Sequence, residues 1–420
     1  MSGVLRRVKP EDVPAVRRKP IEADTLAAAA KIVDDVRTRG ETALREHAHK
    51  LGDIEAIDSP IVLERNDLQR ALDSIDAEAR GILERAAGRI DAFARAQRGS
   101  IAPIEVGVPG GTAGQEVVPV ERAGCYAPGG RFPLPSSALM TAVTARAAGV
   151  REVWVASPRP APVTLAAAAI AGADGVLAVG GAQGIAALAY GCGPVPACDA
   201  VVGPGNRWVT AAKQLVSGMV AIDMLAGPSE LLLIADDTAN PATVAADLLA
   251  QAEHDTDAGV VLITTHEPLL DAVDAELVIQ LETLPTANTA RAAMRNSYAV
   301  VVESIDDAIA QADRYGPEHL QIQTRDAAAV SKRCAHFGGS FVGERTAEVF
   351  GDYGLGPNHT LPTGGTARSF AGLSVFSFLR VRTWLQSESA DAELAREIAA
   401  FARLEGLEAH ARSAERRAKT

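Results

Sequence analysis

The chain is short of cysteine, of basic residues relative to acidic ones, and of long apolar runs, and each shortage excludes something. Four cysteines in 420 residues (Cys125, Cys192, Cys198 and Cys334) form no CxxC pair. That argues against a disulfide framework, and unpaired buried thiols in a cytoplasmic protein are the expectation. Lys and Arg number 41 against 53 Asp and Glu, a net charge of −12, with no long basic block. Nucleic acid and anionic membrane surfaces are therefore poor partners. The most apolar region, Val163–Val179, is interrupted by Gly172, Asp174 and Gly175, short of the roughly 20 residues that a membrane span requires. Residues 1–20 are charged and have no apolar core, so no secretory signal is expected.

What is present is ordinary for a soluble globular protein: 47% hydrophobic and 22% charged residues. Single cores rarely grow past about 250–300 residues, so this length implies more than one domain. Glu22–Arg39, Glu41–Leu51 and Arg65–Arg98 carry apolar residues at helical spacing, with Gly40 and Gly52 as stops. From about Val117 short β-branched runs alternate with Ala-rich helical patterns. Val153–Val155, Val176–Val179, Val201-Val202, Leu231–Ile234, Val260–Ile263 and Tyr298–Val302 read as strands. Alternation of this kind predicts parallel sheets wound in βαβ units, enough for two, with a boundary near Ala226-Gly227-Pro228. From Leu373 the pattern is helical again. A tail too short for a core of its own should pack on something else, such as a partner subunit.

Three glycine-rich stretches fall between strand and helix: Ala127–Gly130, Gly180–Gly184 and Gly203–Asn206. Glycine allows the tight turn, and free N–H groups at a helix start attract phosphate. None is a clean GxGxxG, but three on one edge of one sheet predict a nucleotide crevice at the strand ends.

Eight histidines are present. His47, His49, His266 and His336 read as solvated. His254 lies three residues after Gln251 in Ala-Gln-Ala-Glu-His, a spacing that puts both on one helix face. Glu318 and His319 are adjacent after Pro317, two groups able to take protons at what reads as a βα junction. His359 lies in Gly351–Thr363, too rich in Gly and Pro for an element interior and too polar for a mere turn. His410 belongs to the tail. An amide, two imidazoles and a carboxylate (Gln251, His254, His410, Asp352) would suit Zn2+. Spacing alone does not make that case, because only Gln251 and His254 are locally paired.

Taken together, the stretches QAEH (251–254), YGPEHL (315–320), GDYGLGPNHTLPT (351–363), GPGN (203–206), IDMLAGPSE (222–230) and LEGLEAH (404–410) resemble the histidinol dehydrogenases, from about Glu22 to His410. The resemblance implies oxidation of L-histidinol to L-histidine through histidinal, with two NAD+ and one zinc per site. It implies zinc ligands at Gln251, His254, Asp352 and His410, and an acid/base pair at Glu318 and His319. NAD+ contacts are implied at Tyr126, Gln183 and Asn206. Substrate contacts are implied at Ser229, Gln251, His254, His319, Asp352, His359, Glu405 and His410. In this picture zinc positions the substrate, His319 takes the hydroxyl proton, and Glu318 activates water for the aldehyde step.

The implied fold is α/β: two Rossmann-like parallel-sheet domains with small helical N- and C-terminal segments in an intertwined homodimer. The expected division is a helical segment at 1–20, a larger domain at 21–120 plus 229–372, an NAD-binding domain at 121–228, and a helical tail at 373–420. The tail would carry Glu405 and His410 into a partner subunit. Cys125 before Tyr126 departs from the aliphatic residue expected there, which touches packing more than chemistry. Two rivals share parts of this pattern: a paralogous zinc and NAD+ dehydrogenase of another small alcohol, such as a sulfonated diol, and a zinc hydrolase using Glu318 to activate water.

Overall fold

The computed structural model describes residues 4–13, 21–129, 133–387 and 391–418. It divides into two units: residues 1–96 with 120–378, and residues 97–119 with 379–420.

The first unit holds two six-stranded sheets. In spatial order the larger one runs Arg6–Val8, Tyr298–Val301, Gly259–Thr264, Glu230–Ala235, His319–Gln323 and Gly339–Val342, all parallel. Every residue of Glu230–Ala235 is buried, as expected of a central strand covered on both faces. Its side chains alternate between two cores: Leu231, Leu233 and Ala235 enter one, Leu232 and Ile234 the other. The chain builds outward on one side of this strand and then returns to its other side. The reversal therefore lies between Glu230–Ala235 and His319–Gln323.

The second sheet runs Val62–Glu64, Gly175–Leu177, Glu152–Ala156, Arg122–Tyr126, Ala200–Val202 and Ala221–Ile222. It is parallel except for Val62–Glu64, which pairs antiparallel with Gly175–Leu177. Its reversal point lies between Arg122–Tyr126 and Ala200–Val202, an architecture that leaves a crevice beyond the strand ends.

The expected division needs correction in three places. Within 1–20 the described residues form a strand, Arg6–Val8, and one 3-10 turn, Pro10–Asp12, while 14–20 lie outside the described residues. The helices Ala23–Arg39 and Glu41–Lys50 and the strand at 62–64 join the second sheet, not the larger one. Val33, Val36 and Leu44 share a core with Ile185, Leu188 and Val209. The apolar stripes of these helices match the small, Ala-rich surface of Gly181–Tyr190 better than any local signal could reveal. Third, the tail is not all helix. Leu379–Ser387 is a strand that pairs antiparallel with Gly111–Pro119, itself paired with Ile104–Val108.

That three-stranded sheet belongs to the second unit. The same unit contains the helices Ala392–Leu404 and Glu408–Arg417, whose mutual core among the described residues is Ala399, Ala402 and Ala411 with Ala414 beside it. Among the described residues no helix is long and apolar enough to cross a membrane.

Candidate active site

The polar residues converge at the amino ends of the larger sheet, beside its reversal point. Gly316 ends the helix Ile305–Tyr315 in the left-handed conformation (φ 66°), and Pro317 prevents its continuation. Glu318 and His319 follow at once, so theirs is a helix-to-strand junction and not the expected strand-to-helix one.

Glu230 opens the neighbouring strand and is fixed first. Its carboxylate accepts from Tyr315 Oη at 2.9 Å and from the Gly364 N–H at 2.8 Å. Its main chain then serves both neighbours. The Glu230 N–H donates to Glu318 Oε2 at 3.0 Å, and its carbonyl lies 3.0 Å from His319 Nδ1.

Gln251 supplies the second arm. Its Nε2 donates to Ser229 Oγ at 2.9 Å, which donates to Glu318 Oε2 at 2.7 Å. Its Oε1 lies 3.0 Å from His319 Nδ1. Both neighbours of Nδ1 are acceptors, so Nδ1 carries the proton and Nε2 keeps its lone pair. That Nε2 is buried and has no hydrogen bond among the described residues.

His359 stacks on His319 with ring centroids 4.6 Å apart and planes 14° from parallel. Its Nε2 lies 3.0 Å from Glu348 Oε1 and 3.3 Å from Asp352 Oδ1. Glu348 Oε1 also lies 3.6 Å from His319 Nε2. Gly351 makes room for this stack: a Cβ there would sit 2.1 Å from His359 Nδ1.

Electrostatics follow from burial. Burial pushes the Glu318 carboxyl up to about 8 against the donors from Ser229 and Glu230, so it is largely protonated at neutral pH. Burial pushes His319 down to about 4 against the nearby Glu348 charge, so it stays neutral. His254 moves the other way, up to about 9, chiefly through the Asp352 carboxylate beside it. Asp352 is raised by burial, but His254 and the charge of His359 outweigh that and hold it at about 2.

Not every expected site residue lands as expected. The helix Pro241–Ala252 ends before His254, so Gln251 and His254 do not share a helix face; a turn carries His254 to Asp352, 3.5 Å from its Oδ2. Among the described His, Cys, Asp and Glu residues, His254 gathers with Glu348 and Asp352, and His319 with Glu348 and His359, as possible ligand groups. Gln251 Oε1 is turned to His319 Nδ1. Glu405 and His410 lie in the second unit, at the end of Ala392–Leu404 and in the first turn of Glu408–Arg417, both exposed.

Two of the glycine-rich loops and the described part of the third, residues 127–129, follow the carboxyl ends of three strands of the second sheet, and Gly130 lies outside the described residues. Tyr126 ends one strand, and its hydroxyl accepts from the Gly181 N–H at 3.0 Å. Gln183 is buried in the first turn of Gly181–Tyr190. Asn206 caps the next helix, accepting from the N–H groups of Trp208 and Val209 at 3.0 and 3.2 Å.

A histidinol dehydrogenase family model matches residues 16–418. The chain is 46% identical over 385 residues to a histidinol dehydrogenase of Thermus thermophilus, covering 91% of this chain and 92% of that protein. This chain belongs to the histidinol dehydrogenase family. A second member, from Geobacillus kaustophilus, is 43% identical over 408 residues, covering 95% and 96%. The crystal structure of histidinol dehydrogenase from Elizabethkingia anophelis matches with a TM-score of 0.92 at 31% identity, covering 100% of this chain and 99% of that one. The protein is thus an α/β oxidoreductase, which removes the hydrolase reading.

Several residues of this family member escaped the sequence reading. Glu348 is the clearest, since it touches both imidazoles; its four-residue spacing to Asp352 was a usable signal. Asp247, one turn before Gln251, accepts from Gln321 and Gln323 beneath the same helix, and burial pushes it up to about 6. Lys213 and Asp223 form a buried ion pair that grips Gly203: Lys213 Nζ donates to its carbonyl at 2.9 Å, and its N–H donates to Asp223 at 2.7 Å.

Proposed function

We propose that this protein oxidises L-histidinol to L-histidine through L-histidinal in histidine biosynthesis, using two NAD+ and one Zn2+ per site. Family membership supports the substrate. The observation that carries the chemistry is the pairing on one clamp of His319, whose Nε2 has no hydrogen bond among the described residues, with Glu318, held by Ser229 and the Glu230 N–H.

The donors present fit a zinc ion. Asp352 Oδ2 and Glu348 Oε2 are buried acceptors without a hydrogen bond among the described residues, with lone pairs that suit a cation. Gln251, His254 and Asp352 are the ligands we assign in this chain, with His410 of the partner subunit as the fourth. When bound, zinc supplies an anchor for the substrate's amine and imidazole, and NAD+ supplies the hydride acceptor.

The chain's own groups handle the protons. His319 Nε2 takes the hydroxyl proton in the first oxidation, while Gln251 and the Glu230 carbonyl hold the ring by Nδ1–H. The second oxidation needs a water. Glu318, once ionised, removes its proton, and the Ser229 and Glu230 donors stabilise the carboxylate. Ser229 and His359, with Glu405 of the partner subunit, complete the substrate contacts; Tyr126, Gln183 and Asn206 contact NAD+ on the second sheet, our NAD-binding domain.

A homodimer is part of the proposal. Ile398, Phe401 and Leu404 are 49%, 65% and 84% exposed at helical spacing on Ala392–Leu404, an apolar row that a second copy would cover. Four free, buried thiols support a reducing, cytoplasmic setting.

The test is NADH formation by purified protein with L-histidinol beside a panel of small alcohols, including a sulfonated diol. Turnover with histidinol alone is expected. Turnover with another alcohol alone would assign the protein to a paralogous activity.

A further inference from the structure

Glu230 meets Glu318 and His319 through its main chain, while its side chain is engaged elsewhere. It is 2% exposed and is the one polar residue of a strand otherwise made of Leu, Ile and Ala. Its carboxylate joins two segments that are not adjacent in sequence. Oε2 accepts from the hydroxyl of Tyr315, the last residue of the helix Ile305–Tyr315, and Oε1 accepts from the Gly364 N–H. Gly364 and Gly365 both stand at positive φ, 63° and 77°, so the turn that aims this N–H at Glu230 is one that other residues rarely adopt. Arg368, four residues on, donates to the carbonyls of Asp313 and Arg314 in the last turn of the same helix. The helix end and the Gly364–Arg368 segment are thus tied twice, once directly and once through Glu230.

Two donors from separate segments require two acceptors. A carboxylate supplies one at each oxygen, whereas a glutamine presents an oxygen to one donor and an NH2 group to the other. The position therefore calls for glutamate, although burying a carboxylate is costly. What it holds is the corner Tyr315-Gly316-Pro317-Glu318. The strand that follows lies between Glu230–Ala235 and Gly339–Val342. On one side the N–H groups of Gly338 and Gly339 hold the carbonyls of Pro317 and Glu318 at 2.9 and 2.8 Å. On the other, Glu230 takes both ends of the corner: Tyr315 by its carboxylate, and the Glu318 carboxyl by its N–H. Its carbonyl meets His319 Nδ1, so one shift of this main chain misplaces both groups together.

We propose that Glu230 is a positioning residue for both oxidations: by clamping Tyr315 and Gly364 it fixes the main chain on which Glu318 and His319 are aligned. The proposal rests on the roles given above to those two residues.

The test uses full-length, zinc-loaded enzyme carrying Glu230→Leu, Glu230→Gln, Tyr315→Phe, or Glu230→Leu with Tyr315→Phe. Two rates are read for each: reduction of histidinal by NADH, which reports His319, and oxidation of histidinal, which reports Glu318. Glu230→Leu should lower both by about a hundredfold, the effect of a misplacement of about 1 Å, with KM for histidinal changed far less. Glu230→Gln keeps one acceptor and should lose only about tenfold in both, as should Tyr315→Phe. The double variant should be no slower than Glu230→Leu, because both changes break one clamp. Zinc content and NADH affinity should stay within about twofold of wild type, since neither ligand touches the clamp. A fall in one rate alone, or a rise in KM alone, overturns the proposal. So do wild-type rates in Glu230→Gln and Tyr315→Phe, and so do additive losses in the double variant. Parallel losses of zinc and NADH affinity would mark a general loosening and also overturn it. Should Glu230→Leu fail to fold, Tyr315→Phe decides: equal loss in both rates supports the clamp, and wild-type rates or loss in one alone refute it. Absence of turnover by wild type overturns the proposed function and this inference together, whereas the other results overturn this inference alone.

Discussion

Oε1 of Gln251 lies 3.0 Å from Nδ1 of His319, and the same amide's Nε2 reaches Ser229 and, through it, Glu318. One buried side chain thereby sets the tautomer of the imidazole and a hydrogen bond of the carboxyl. Burial sets the protonation state of each, which makes both open to experiment.

The pH dependence of stability should carry the signature of Glu318. Its carboxyl is raised to about 8 from an ordinary 4.5, so the unfolded chain loses the proton first. The stabilisation is complete below about 4.5 and disappears as pH rises toward 8. His319, lowered to about 4 from 6.5, acts oppositely and costs stability as pH falls through that window. Glu318→Gln should remove the alkaline decline. Melting of metal-free protein should show the variant gaining on wild type between pH 5 and 8, by roughly 3–4 kcal/mol at the upper end. Parallel curves would mean that Glu318 is not held protonated.

Glu318→Gln should also separate the two oxidations. Only the aldehyde step requires water, so histidinal oxidation should slow about a hundredfold, the usual worth of a general base. Reduction of histidinal by NADH, the reverse of the first step, should change little. Equal loss in both directions would move Glu318 out of the water-activating role.

Metal dependence should track His254. His254→Asn should weaken zinc binding and activity in parallel, and a chelator should inactivate wild type until zinc is returned. Bound zinc is measured by elemental analysis beside activity. Full activity in a chelated, zinc-free sample would contradict the ligand assignment.

Sharing of the site between subunits has a counting test. Glu318→Gln and His410→Ala, co-expressed at equal levels with different tags, should give about half mixed dimers. With His410 acting in the neighbour's site, one site per mixed dimer is whole and activity returns to about a quarter of wild type. Activity that stays at the parents' level, with mixed dimers recovered, would show that His410 serves its own chain.

Much of the architecture was legible because its signals are local. Buried parallel strands must be continuous apolar runs, and Leu231–Ile234 and Val260–Ile263 read as such. Gly316 and Pro317 end a helix through backbone geometry alone, which places Glu318 and His319 at a junction.

Other features were decided only by tertiary packing. In His319–Gln323 polar and apolar residues alternate, the pattern of a strand with one face in water. Gln321 and Gln323 are nonetheless 0% and 2% exposed, because the helix Pro241–Ala252 covers that face and brings Asp247 to them. Glu348 likewise gains its meaning from two histidines distant or disguised in the chain. Asp53 stands 127 residues from the Gly180 N–H it occupies. The sequence by itself determined the strands, the helix stops and the residue types able to move protons or bind metal, since these follow from side-chain chemistry and neighbours. Which acceptor meets which donor, and hence which nitrogen of His319 is basic, was set by contacts between distant segments that no local pattern encodes.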